Sequence, residues 1–199
     1  MKHFIFLMAA AALVLPASAQ ETVEIKVKDL KISGIETPQF TASNVGDRRW
    51  RPKTWLELDL EFDVRLAAAA GGRNGSLDSM TVNYYIAFNQ KVEGKTQYIK
   101  ATFNYADIPA AQTSHALAYI SPATLRRILM RDTFTASSDI QGWGYEILVD
   151  GKMVAGNSSA AGKWWESAGV AQVDGAMLAK KDTPFSILWG DYDVSTKKQ

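Results

Sequence analysis

Trp55 to Leu66 reads W-L-E-L-D-L-E-F-D-V-R-L, and its two parities separate cleanly. Leu56, Leu58, Leu60, Phe62, Val64 and Leu66 are apolar, while Glu57, Asp59, Glu61, Asp63 and Arg65 are charged. Successive side chains of a strand point to opposite faces, so this alternation predicts one long strand with a dry face and a wet face. A helix would scatter the same charges around its whole circumference. The acidic row is expected to be a solvated strand face, because an open sheet face encloses no carboxylate and leaves its proton affinity ordinary.

Working outward towards the amino terminus, Val23, Ile25 and Val27 share one parity, whereas Leu30 and Ile32 share the other. A phase flip around Lys28-Asp29 predicts a β-bulge or a strand that passes from one sheet to the other. Ser33-Gly34 is expected to turn the chain, and Pro38 in the run Ile35 to Phe40 suits an edge. Asn44 to Lys53 reads as a polar loop carrying Arg48, Arg49, Trp50 and Arg51.

Beyond the central strand, Ala67 to Ser79 reads as a flexible linker between strands. Thr81 to Asn89 and Gln97 to Tyr105 both alternate around the turn Val92-Glu93-Gly94-Lys95, which predicts a hairpin. His115 to Ile120 is a short apolar strand. Ser121 then caps a helix from Pro122 to about Met130, with Pro122 where its missing N–H costs nothing. Trp143 to Val149 returns through Asp150-Gly151, a strong hairpin signal. A last run from Thr183-Pro184-Phe185 passes through Ile187, Leu188 and Trp189. Seven to nine short strands and one short helix predict a mainly all-β fold, an antiparallel immunoglobulin-like β-sandwich, with a barrel as the alternative.

Residues 1–19 have the form of a signal peptide. Lys2 and His3 precede an apolar run from Phe4 to Leu15, and Pro16-Ala17-Ser18-Ala19 ends in a small-x-small cleavage site. The expected mature chain is a single domain, residues 20–199, beginning at Gln20 and exported to the periplasm or the outer cell surface. Without Lys2 it carries 21 basic and 21 acidic residues, a balance that argues against nucleic acid and against a polybasic membrane surface. With no cysteine, the core must hold the fold without disulfides.

Chemistry-bearing patterns are sparse. His115 is the one histidine after the leader, so a zinc site would need it with carboxylates alone. It reads instead as a satisfied core or edge residue. No nucleophile elbow and no glycine-rich phosphate loop is present. Asp150, Asp174 and Asp191-Asp193 lack calcium-loop spacing. No catalytic residue, metal ligand or cofactor is therefore assigned, and an enzyme is the weak reading. The six tryptophans are richer material. Trp164 and Trp165 are adjacent, so on a strand one would face the core and the other would face out. Together with Trp50 they are the candidates for contact with a partner or a glycan.

Several pieces carry a resemblance: Thr37-Pro38-Gln39-Phe40, Trp50 to Leu58 (W-R-P-K-T-W-L-E-L), Tyr84-Tyr85-Ile86, Tyr119-Ile120-Ser121-Pro122, Lys163-Trp164-Trp165 and Thr183-Pro184-Phe185. In these the chain resembles a small family of exported verrucomicrobial pilus-like proteins, one of them from a pilus-associated locus of a mucin-degrading gut bacterium. The resemblance spans nearly the whole mature chain. It implies an immunoglobulin-like sandwich, no enzymatic activity and a pilus-associated structural or protein-interaction role at the cell envelope. Implied partners are other envelope or pilus-associated proteins, or further copies of the chain. The alternative function is a module binding mucin-type host glycans through exposed tryptophans. After the leader, Glu21 to Lys26 alternates as a strand, so no amino-terminal helix is expected for polymerisation.

Overall fold

A computed structural model describes residues 23–197, apart from 42, 45, 47, 48 and 174–176. The expected leader and the start at Gln20 lie outside these residues, as do Arg48 and Asp174. The central strand, β2, spans Thr54–Leu66. Leu56, Leu58, Leu60, Phe62 and Val64 are fully buried along it, as the alternation requires.

The strand β1, Val23–Glu36, pairs antiparallel with β2, and the register slips between Val27 and Asp29 where the phase flips. The expected turn at Ser33-Gly34 is absent. Both residues stay in the ladder, opposite Glu57 and Leu56. A Cβ on Gly34 would stand 3.0 Å from Cγ2 of Thr54, so the glycine serves a close cross-strand approach rather than a turn.

The linker expected over 67–79 is shorter than its composition suggests. Two 3-10 turns, Ala68–Ala70 and Gly72–Asn74, lead into β3 at Ser76–Val92. The hairpin to β4, Lys95–Pro109, turns at Glu93 and Gly94, both with positive φ. β5, Thr113–Ile120, joins the other side of β2. Then α1, Pro122–Leu129, begins as expected, its Thr124 N–H donating to Ser121 Oγ, and buries Leu125, Ile128 and Leu129. A second helical turn, α2 at Ala136–Asp139, was not expected; the Asp139 carboxylate accepts the Thr135 N–H at 2.8 Å and pairs with Arg131.

β6, Ile140–Val149, and β7, Lys152–Ser158, form the hairpin across Asp150-Gly151, where both residues have positive φ as such a tight turn requires. Two short strands complete the sheets, β8 at Val170–Gln172 and β9 at Met177–Ala179. One sheet has the order β1-β2-β5-β9 and the other β7-β6-β3-β4-β8, with only β8 parallel to its neighbour. They pack face to face as a β-sandwich, and the barrel alternative falls. Leu58, Leu60 and Phe62 share one core with Tyr84, Ile86, Phe88 and Ile147. Two buried phenols tie the layers together: Tyr84 donates to the Ala116 carbonyl at 3.1 Å and Tyr105 to the Leu117 carbonyl at 3.2 Å.

Candidate contact surface

Neither outer face of the sandwich is bare, and the carboxy-terminal part of the chain covers both. On the β3 side, Tyr85, Ala87 and Tyr98 point away from the core and would be wet on an open sheet. Residues 163–170 fold over them. Trp164–Glu166 is a 3-10 turn rather than a strand, so the two tryptophans do not divide between core and solvent. Both enter this outer cluster. Trp165 is only 9% exposed and stacks on Tyr85, centroids 3.9 Å apart and planes within 7°. Trp164 meets Trp165 and Tyr98 edge-on, and its indole N–H donates to the Trp143 carbonyl at 3.1 Å. Gly144 makes room, since a Cβ there would lie 2.2 Å from Cζ3 of Trp165. Beside the cluster, Glu146 accepts from Lys163 at 2.5 Å and from the Tyr85 hydroxyl at 2.7 Å. Burial alone would raise its carboxyl, but these hydrogen bonds and that from Asn83 prevail and hold it below the ordinary range.

The β2 side is covered differently. Trp55, Leu117 and Tyr119 face outward and are buried under Phe185, which stacks on Tyr119 at 4.9 Å and meets Trp55 edge-on at 5.7 Å. The acidic row beside them is therefore not the solvated face its composition suggests. Asp59 accepts from the Tyr192 hydroxyl at 2.6 Å and pairs with His115 Nδ1 at 2.8 Å, and the His115 and Tyr192 rings stack at 4.1 Å. His115 thus sits on the outer face, satisfied by a carboxylate. Glu57 is half-buried, and that burial raises its carboxyl above the ordinary range. The Glu57 carboxylate and the hydroxyl of its cross-strand neighbour Tyr119 interact, though neither Oε2 nor that hydroxyl makes a well-formed hydrogen bond among the described residues. Lys28 spans Asp63 at 2.9 Å and Glu61 at 3.7 Å, which holds the Asp63 carboxyl low. Among the described residues, no three histidine, cysteine or carboxylate side chains are placed to hold a metal ion.

The covering segment, the last apolar run from Thr183 to Trp189, is a run of turns rather than a strand. Ser186 N–H donates to the Thr183 carbonyl, Leu188 to Phe185 and Tyr192 to Trp189. The Thr183 hydroxyl donates to the Lys180 carbonyl and accepts the Phe185 N–H, offering the backbone a local partner in place of a ladder. Lys180 is buried, with Nζ 2.5 Å from Asp193 and donating to the Trp189 carbonyl at 2.9 Å. Trp189 has φ +51°, a left-handed conformation in which a bulky residue is strained. The loop so fixed displays Ile187, Trp189 and Tyr192, which are 72%, 49% and 43% exposed. Sequence reasoning misses this group because Ile187 and Trp189 read only as members of a last apolar run. The available signal was Pro184, Gly190 and Asp191 interleaved with aromatics.

Trp50 lies elsewhere, at 51% exposure, beside a cleft of about 690 Å³. Trp55, Pro122 and Ala123 also line it, as do Arg51, Lys53, Arg126 and Asp132. Thr37 pins its base: the Thr37 hydroxyl donates to the Lys53 carbonyl at 3.0 Å and accepts the Trp55 indole N–H at 3.1 Å. Of the three tryptophans singled out from sequence, only Trp50 presents half its surface.

A family model matches residues 16–199, and the chain belongs to that family, in agreement with the pilus-like proteins its motifs resemble. A crystal structure of a protein from Akkermansia muciniphila is similar, with a TM-score of 0.77 and 24% identity over 89% of this chain and 94% of that one. At that identity the likeness shows the fold. No curated protein matches the chain.

Proposed function

We propose that this is a non-enzymatic, pilus-associated protein of the cell envelope, exported to the periplasm or outer surface, which works by binding other envelope proteins or further copies of itself. Family membership and the sandwich fold support that role. The observation that carries it is the loop displaying Ile187, Trp189 and Tyr192. A strained backbone held by a buried Lys180–Asp193 pair is a cost that a merely covering loop has no need to bear. Exposed tryptophan and tyrosine beside an aliphatic side chain are what a protein contact is built from. Among the described residues no helix is long and apolar enough to cross a membrane.

The test is crosslinking and purification of the tagged full chain from its native host. Envelope proteins should co-purify with the wild type and be depleted with Ile187→Ser and Trp189→Ala. Unchanged recovery with both variants overturns the loop as the contact. A second reading, a glycan-binding module, is favoured by one observation, the half-exposed Trp50 at the mouth of a cleft.

A further inference from the structure

The cleft beside Trp50 has a charge pattern that narrows the ligand allowed by the second, glycan-binding reading, on which the assignment rests. Three cations, Arg51, Lys53 and Arg126, stand on its lining with one carboxylate, Asp132. Asp132 is already paired with Arg126 at 3.2 Å. Arg51 and Lys53 are exposed and form no ion pair among the described residues. The Trp55 indole N–H and the Thr37 hydroxyl, the polar groups at its base, are spent on each other and on Lys53. An occupant would therefore meet an aromatic face, an apolar floor and two uncommitted positive charges.

We infer that this cleft binds an anionic saccharide unit, bearing a carboxylate or a sulfate, with Trp50 as the stacking platform and Arg51 and Lys53 receiving the negative group. A sugar ring presents a C–H face that packs on an indole, and a charged oxyanion forms stronger hydrogen bonds with guanidinium and ammonium than a hydroxyl does. The cleft volume falls in the ~300–1,000 Å³ range usual for small-molecule sites. Thr37 fixes the Lys53 backbone and the Trp55 ring at the base before any ligand arrives, which reduces the ordering cost of that part of the cleft.

The experiment titrates the full chain, by calorimetry and tryptophan fluorescence, with four probes: tri-galacturonate, sulfated N-acetyllactosamine, neutral N-acetyllactosamine and a polyglutamate peptide. At least one anionic saccharide should bind, with the neutral sugar roughly tenfold weaker or worse, and binding should weaken as salt rises. Trp50→Ala should abolish it, and Arg51→Gln and Lys53→Gln should each weaken it about tenfold. Thermal unfolding of each variant is followed alongside. Should Trp50→Ala fail to fold, the two exposed cation variants carry the test. Equal binding of neutral and sulfated N-acetyllactosamine overturns the anionic assignment while leaving the glycan reading standing. Absence of saccharide binding by every probe overturns both, and binding of polyglutamate alone reassigns the cleft to an acidic peptide and overturns the inference.

Discussion

Trp165 and Trp189 belong to the same third of the chain and lie over the outsides of opposite sheets, yet they meet opposite fates. Trp165 is laid flat on Tyr85 in a space cleared by Gly144, and its neighbours satisfy their polar groups around it. Trp189 is held out on a left-handed backbone by a buried lysine that grips its carbonyl. The first cover hides its tryptophans, while the second hides Phe185 and displays Trp189. A tryptophan count alone cannot separate a buried outer cluster from a contact surface. Both sheets offer an aromatic floor; what separates the two tryptophans is the gap that Gly144 leaves for Trp165 and the left-handed turn that holds Trp189 out.

The largest effect expected from this contrast is on stability. Trp165→Ala should cost about 3–5 kcal/mol by denaturant midpoint, because it empties the outer cluster over β3. Trp189→Ala should stay within ~1 kcal/mol of wild type, since half the ring is in water and the strained backbone remains. Comparable losses for the two would erase the distinction between the covers.

A smaller effect concerns the β2 side. Asp59→Ser should cost about 1–3 kcal/mol, because it leaves the Tyr192 hydroxyl and His115 without their shared acceptor. A change near zero would restore the solvated acidic face that the sequence suggests and would detach the display loop from its anchor.

The smallest effect has opposite signs on the two sides. Glu57 has a folded pKa above its unfolded one, so its ionisation opposes folding at neutral pH; the penalty fades as pH falls through the folded value and is gone below the unfolded one. Glu146 has a folded pKa below its unfolded one, so its contribution is present above the unfolded value and is lost as pH falls through the folded one. Glu57→Gln should therefore stabilise at neutral pH and Glu146→Gln destabilise. Both differences should shrink on acidification, read as thermal midpoints across roughly pH 3 to 7, a window that brackets ordinary carboxylates. Same-signed differences would show that the two outer faces are electrostatically alike.

The strand Thr54–Leu66, the bulge at Lys28-Asp29, the cap at Ser121 and the turn at Asp150-Gly151 were all legible in the sequence, because local spacing and local chemistry decide each of them. The covers were not. Tyr85, Tyr98, Trp55 and Tyr119 sit on the outward parity, which two-fold alternation assigns to water. Their burial depends on segments far away in sequence that have no periodicity of their own. Aromatic residues recurring at outward positions on both sheets were the one local hint. The exposed residues Ile187 and Tyr192 escape sequence reasoning for the same cause, and Trp164 and Trp165 read as strand neighbours because a 3-10 turn leaves no mark on a two-residue pattern.

The most direct test of the contrast is hydroxyl-radical footprinting of the purified protein, alone and with native envelope extract, with oxidation of each tryptophan quantified by mass spectrometry. The same spectra read the amino terminus of protein taken from the host, expected at Gln20. Trp189 should oxidise rapidly in isolation and become protected in extract, while Trp165 stays slow in both. Rapid oxidation of Trp165, or a Trp189 that extract leaves unprotected, would contradict the account.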